Sequence, residues 1–235
     1  MDRLLVGLAG LVASGRTRCV NASYTRFVAK STVVMWMDFG CPWSRISLHE
    51  LERAIAAVGE PVDVRFHSLR LDADAPADYG KTTIENLCEH LSIDVVEAER
   101  MLQVVVDAGA RVGMAFNFHT ARGGSSFDAH RLVRRAADFG VHVQVARDVF
   151  TAHFENGELI SDHLVLERIG VAAGMPADVL SSLLAGDDEK VAVLEDEEAA
   201  FARGLEKTPH FLFGGGIETN GVQTYEELRA ALQNA

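Results

Sequence analysis

Residues 32–44 read TVVMWMDFGCPWS. Thr32 to Asp38 is a short apolar run with β-branched residues at its start, the pattern of a buried strand. Phe39-Gly40-Cys41-Pro42 ends it. Pro42 has no backbone N–H and is excluded from a central strand, but its fixed φ suits the first turn of a helix. Beyond it, Leu48, Leu51, Ile55 and Val58 recur at helical spacing, and Gly59 supplies a stop. Pro61 restarts the chain. Residues 62–66 (VDVRF) alternate apolar and polar, which predicts a second strand. Strand, helix and strand in one short span make a βαβ unit, with parallel strands and a right-handed crossover.

Further along, the period changes. Apolar residues recur at helical spacing over 81–91, 94–112, 127–139, 143–155, 163–173 and 176–184, punctuated by Gly113, Gly123-Gly124, Gly140, Gly157 and Gly174. No strand pattern interrupts this stretch, so an all-helical insertion is expected over 79–185. Residues 187–204 predict a charged helix with an acidic start and a glycine stop, and Glu195 to Glu198 read as a solvated face. His210 to Phe213, a turn at Gly214-Gly215-Gly216 and a strand near 217–219 predict a hairpin. A last helix follows over 224–232. The two ends of the chain, 31–78 and 186–235, therefore form one α/β domain around the insertion. Residues 1–30 are an extension of a different character.

The chain has 235 residues, 48% of them hydrophobic and 24% charged, as in a globular protein. Its net charge of −12 disfavours nucleic acid and anionic lipid as partners. Cys19, Cys41 and Cys88 are too few and too unevenly spaced for a disulfide framework, which fits a reducing, cytoplasmic setting. Residues 4–13 (LLVGLAGLVA) have the length of a signal-peptide core. Met1-Asp2-Arg3 before them carries no net positive side-chain charge, so export is the secondary expectation.

Chemistry is expected at Cys41. A helix N-terminus offers free backbone N–H groups and a favourable dipole, and both stabilise a thiolate. The Cys41 pKa is therefore expected below the free value of about 8.5. Ser44 lies one turn on, where its hydroxyl can donate to the sulfur, and Trp43 offers an apolar surface beside it. An isolated cysteine is ordinarily buried filler. The strand–Cys–Pro–helix context favours a reactive group instead.

Cys41-Pro42-Trp43-Ser44 after an apolar strand resembles the Cys-Pro-Trp-Cys motif of the DsbA-like thioredoxin family, particularly its FrnE-like branch. Val64-Arg65-Phe66, Ser126-Phe127-Asp128-Ala129-His130-Arg131-Leu132, Lys207-Thr208-Pro209-His210-Phe211 and Asn220-Gly221-Val222-Gln223 also resemble that branch in order and spacing. The resemblance runs from about Val33 to Leu232. It implies a thioredoxin-like fold carrying a helical insertion. It implies that Pro209 is a cis-proline facing Cys41, with the Thr208 backbone open to a substrate strand. His210, next to that proline, is expected near Cys41 as a proton-handling group. His130 is a candidate lining residue of the cleft, alongside Pro42, Trp43, Thr208 and Pro209.

The family's second cysteine is Ser44 here. One thiol can attack a disulfide, but a second must resolve the product. The first reading is thus a monothiol oxidoreductase with glutathione or mycothiol as co-substrate and no tightly bound cofactor. FrnE-like proteins often resemble members of natural-product pathways, so the resemblance implies a tailoring enzyme, and a small organic or thiol substrate is expected. The second reading is a thiol-dependent isomerase or transferase, like the hydroxychromene-carboxylate isomerases and kappa-class glutathione transferases, which resemble this architecture. The third is a non-catalytic binding protein on the same fold. The cleft is expected to be lined by Trp43, the insertion helices and Thr208, and the molecule to be a monomer or homodimer. Cys19 and Cys88 are expected to be structural. The nine histidines show no His-Glu-x-x-His spacing, so no metal site is expected.

Overall fold

A computed structural model describes residues 31–235. The apolar stretch at 4–13 and Cys19 lie outside the described residues. Strand β1 (Ser31–Met37) is central. Along one edge it pairs in parallel with β2 (Val62–Ser68), Val33 opposite Val64 and Met35 opposite Phe66. Along the other it pairs antiparallel with β3 (His210–Phe213), and β4 (Glu218–Asn220) completes the order β2-β1-β3-β4. The crossover from β1 to β2 is helix α1 (Pro42–Val58). Gly59 ends it in the left-handed region (φ 71°), its N–H donating to the Ile55 carbonyl. Gly214–Gly216 form a short 3₁₀ turn, so β4 begins one residue later than the sequence predicts.

Side-chain alternation gives this sheet two unlike faces. Val33, Met35, Met37, Phe211 and Phe213 join the main core with Leu48 and Leu51 of α1. Helix α9 (Tyr225–Gln233), opened by a Thr224/Glu227 capping box, adds Leu228 and Leu232 to that face. Trp36 looks the other way and packs with Leu69 and Ala200.

Helices α2 (Thr83–Leu91), α3 (Val95–Arg111), α4 (Phe127–Ala137), α5 (His142–Phe154), α6 (His163–Ala172) and α7 (Ala177–Ala185) follow β2 in succession. Their core continues the main one through Phe116, Phe118, Phe150 and Phe154, whose rings stack or tilt on one another. Gly109 on α3 lets Phe116 approach closely, since a Cβ there would fall 2.5 Å from its ring. Among the described residues no helix is long and apolar enough to cross a membrane.

Helix α8 (Lys190–Ala202) departs from expectation twice. It begins at Lys190, so Asp187 and Asp188 precede it and its first turn holds no acid. Only half of its acidic run is solvated, because Glu195 and Glu198 are exposed while Asp196 and Glu197 are buried. Asp196 accepts from the Ser68 N–H (3.0 Å) and from Arg134 (2.7 Å), and pairs with His67 Nδ1 (2.6 Å). Glu197 accepts from the Arg70 N–H (3.2 Å) and from both Nε (2.6 Å) and Nη2 (2.9 Å) of its guanidinium. The acids satisfy backbone donors where β2 runs out of ladder partners, a requirement that charge pattern alone does not reveal. Glu197→Ala strands the buried Arg70 charge and should cost about 3–5 kcal/mol. The same change at exposed Glu195 should cost under about 0.5 kcal/mol. Urea unfolding midpoints of the two variants measure the difference.

Candidate active site

Cys41 stands where β1 hands over to α1. It is the N-cap, with extended backbone (φ −96°, ψ 111°). Its N–H donates to the Asp38 carbonyl (3.1 Å), and Ser44 N–H donates back to the Cys41 carbonyl (3.1 Å). The sulfur donates to the Thr208 carbonyl oxygen at 3.6 Å, and the Thr208–Pro209 peptide bond is cis. Residues distant in sequence thus meet at one thiol.

That thiol is 4% exposed. Burial pushes its pKa up, and the nearby Asp38 charge adds to the rise. Hydrogen bonding by Thr208 and by the N–H and hydroxyl of Ser44 offsets only part of it. The expectation of a lowered pKa is therefore corrected. Position at a helix N-terminus is legible in sequence, but desolvation is set by what packs over the sulfur.

Ser44 is fully buried, and its hydroxyl oxygen accepts from the Asp38 N–H at 3.5 Å. Trp43 is half-buried against the main core, and Pro42 opens α1. His130 is buried, with its ring on Phe39 (4.9 Å) and Nε2 3.5 Å from Asp38 Oδ1. It stands behind the turn and not on the cavity wall. His210 is a clear correction. Its register partner is Trp36, their rings meet edge-on at 5.6 Å, and its Nε2 lies 3.4 Å from Glu218. Alternation along β3 puts it on the sheet face away from α1, so adjacency to Pro209 does not bring it to the thiol.

A cavity of about 830 Å³ opens between the strand–helix junction and the helices. Asp38, Gly40, Ser126 and His153 line it beside Leu71, Leu87, Leu102 and Ile160, with Tyr79, Lys81, Asn86 and His90 on its wall. Neither Trp43 nor Thr208 lines it, contrary to expectation. It reaches Gly40, the residue before Cys41. Asp38 and His153 were not singled out from the sequence. For Asp38 a signal exists, since an acid closing an apolar strand is unusual. For His153 there is none. Among the described residues no cluster of three His, Cys, Asp or Glu side chains could hold a metal.

His153 is 5% exposed, and its Nδ1 has no hydrogen-bond partner. Burial lowers its pKa from 6.5 to about 4, against the opposing pull of Asp38 and a bond to the Glu158 backbone. Between those two values the unfolded chain binds the proton and the folded chain does not. Stability from this group is therefore full above pH 6.5 and is lost as pH falls towards about 4. Denaturant titrations across that range should show roughly 3 kcal/mol of loss in the wild type that is absent from His153→Phe.

The family model for the DSBA-like thioredoxin domain matches residues 32–233. No curated protein matches the chain. Among solved structures, a probable DsbA oxidoreductase from Streptomyces coelicolor is 25% identical, with 87% of this chain and 89% of that chain covered and a TM-score of 0.78. A 2-hydroxychromene-2-carboxylate isomerase is 15% identical, with 86% and 95% covered and a TM-score of 0.61. The cytosolic disulfide reductase DsbM from Pseudomonas aeruginosa, solved with GSH, is 16% identical, with 86% and 98% covered and a TM-score of 0.59. The last two likenesses are of fold.

Proposed function

Because the chain belongs to the DSBA-like thioredoxin family, whose relatives include oxidoreductases and isomerases, we propose that it is a monothiol oxidoreductase of the FrnE-like type, acting through Cys41. In this reading residues 31–78 and 186–235 form the thioredoxin-like part and 79–185 the helical insertion. The observation that carries it is the pairing of Cys41 Sγ with the Thr208 carbonyl beside Pro209, at 3.6 Å. A disulfide substrate laid against Thr208 brings its sulfur within reach of Cys41. The thiolate attacks one substrate sulfur. A Cys41–substrate disulfide forms, and the other sulfur leaves and takes the proton Cys41 has given up. A glutathione- or mycothiol-type thiolate then attacks the mixed disulfide, releases Cys41 and carries the substrate sulfur away as a new disulfide.

Ser44 cannot supply the second thiol. Its burial also argues against the isomerase-type alternative, in which a serine hydroxyl holds an external thiolate. Here that hydroxyl is enclosed between Cys41 and the Asp38 N–H. The glutathione co-substrate draws support from DsbM, solved with GSH on the same fold. The cavity beside Gly40, with leucine and isoleucine walls, suits a small organic thiol or disulfide of the kind a tailoring step handles. A sparse cysteine content fits work in the cytoplasm.

A raised thiol pKa makes a scarce but strong nucleophile. Turnover of a glutathione-linked mixed disulfide should therefore keep rising between about pH 7 and pH 9 instead of levelling early. Cys41→Ser should reduce it to background. Ser44→Ala removes one hydrogen bond to the sulfur, worth about 1 kcal/mol, and should slow turnover roughly fivefold. Glutathione-dependent conjugation or rearrangement that survives Cys41→Ser would overturn the reading in favour of an isomerase or transferase.

A further inference from the structure

One acidic side chain ties Cys41 to the rest of the molecule. Asp38 is 4% exposed. Its Oδ1 accepts from the Gly40 N–H (3.2 Å) and the Ser126 hydroxyl (2.7 Å) and lies 3.5 Å from His130 Nε2. Its Oδ2 accepts from the Leu71 N–H (2.9 Å). These partners come from the turn into α1, the linker after β2, the N-cap of α4 and α4 itself. A carboxylate offers about four lone-pair sites, and three of this one's are taken, two on Oδ1 and one on Oδ2. The Asp38 backbone meanwhile brackets the thiol residue. Its carbonyl accepts from Cys41 N–H, and its N–H donates to Ser44.

We propose that Asp38 is a positioning residue for the Cys41 thiol, fixing the turn that presents the sulfur and coupling that turn to the helical insertion. The proposal rests on Cys41 being the reacting atom. Burial opposes ionisation of Asp38, but His130, the Leu71 N–H and the Ser126 hydroxyl outweigh it and hold the carboxyl below its ordinary range. Its standing negative charge then works against a thiolate at Cys41. The other titratable groups around it are His130 on α4, His153 on α5 and Asp72, which shares the cavity wall. Asp38 thus does two things at once. It holds the sulfur in place, and its charge favours the protonated thiol.

The test is the rate of iodoacetamide alkylation at Cys41 against pH, read site by site with mass spectrometry on the full chain. It needs no disulfide substrate, so its outcome is separate from that of the turnover assay. Asp38→Asn removes the charge but keeps the shape. Its alkylation midpoint should fall by roughly half to one pH unit, and its limiting rate at high pH should rise as the turn loosens. Ser126→Ala keeps the charge and removes the shortest bond to it. Its midpoint should stay where the wild type's is, while its limiting rate rises about two- to fivefold. An unchanged midpoint in a folded Asp38→Asn overturns the proposal, as does an unchanged limiting rate in Ser126→Ala. If Asp38→Asn does not fold, the limiting rate of Ser126→Ala decides alone.

Discussion

A strand hydrogen-bonded along both edges and covered on both faces can release its chain only at its end. β1 is such a strand, with β2 on one edge and β3 on the other. Its last residues lead into Asp38-Phe39-Gly40-Cys41, and every other part of the molecule is arranged around that exit. The α1 crossover must start there. The linker after β2 returns there, with Leu69 N–H on the Met37 carbonyl and Leu71 N–H on Asp38. The helical insertion arrives through Ser126 and His130, and β3 arrives by way of Thr208.

Electrostatics hold these arrivals in register. Asp196 and Glu197 of α8 grip the Ser68 and Arg70 backbone N–H groups, so the segment that delivers Leu71 to Asp38 is itself anchored. Arg131, buried on α4, donates to the carbonyls of Leu183, Gly186 and Asp188 at the end of α7 and in the loop beyond. It satisfies acceptors that a helix C-terminus leaves open and binds α4 to the chain entering α8. Arg134 extends the tie from α4 to Asp196 and Glu189. Buried charges of this kind add little net stability beside apolar packing. Their geometry is specific, however, and removing one partner leaves an uncompensated charge.

The thiol sits under opposing influences. The Ser44 N–H and hydroxyl favour its anion, whereas burial and the Asp38 carboxylate favour the neutral form. The raising influences outweigh the others, and the thiol donates to the Thr208 carbonyl. Access and ionisation are therefore linked, because whatever displaces that contact also changes the solvation that raises the pKa.

Much of the fold is legible in the sequence. Helical and strand periodicities, with Pro42, Gly59 and the glycines of the insertion as punctuation, locate the elements to within a few residues, because hydrophobic period and backbone stops are local properties. Cys41 and Ser44 are legible too, since a cysteine between a strand and a proline-led helix is a local pattern. The starts of β4 and α8 shift because hydrogen bonding, not composition, sets them. What the sequence withheld depends on distance through space. The faces that His210 and His130 occupy, the burial of Asp196 and Glu197, the cavity beside Gly40 and the convergence on Asp38 all arise only when segments remote in sequence pack together. The direction of the Cys41 pKa belongs with them, because a helix start is written in neighbouring residues, whereas desolvation is the work of the whole fold.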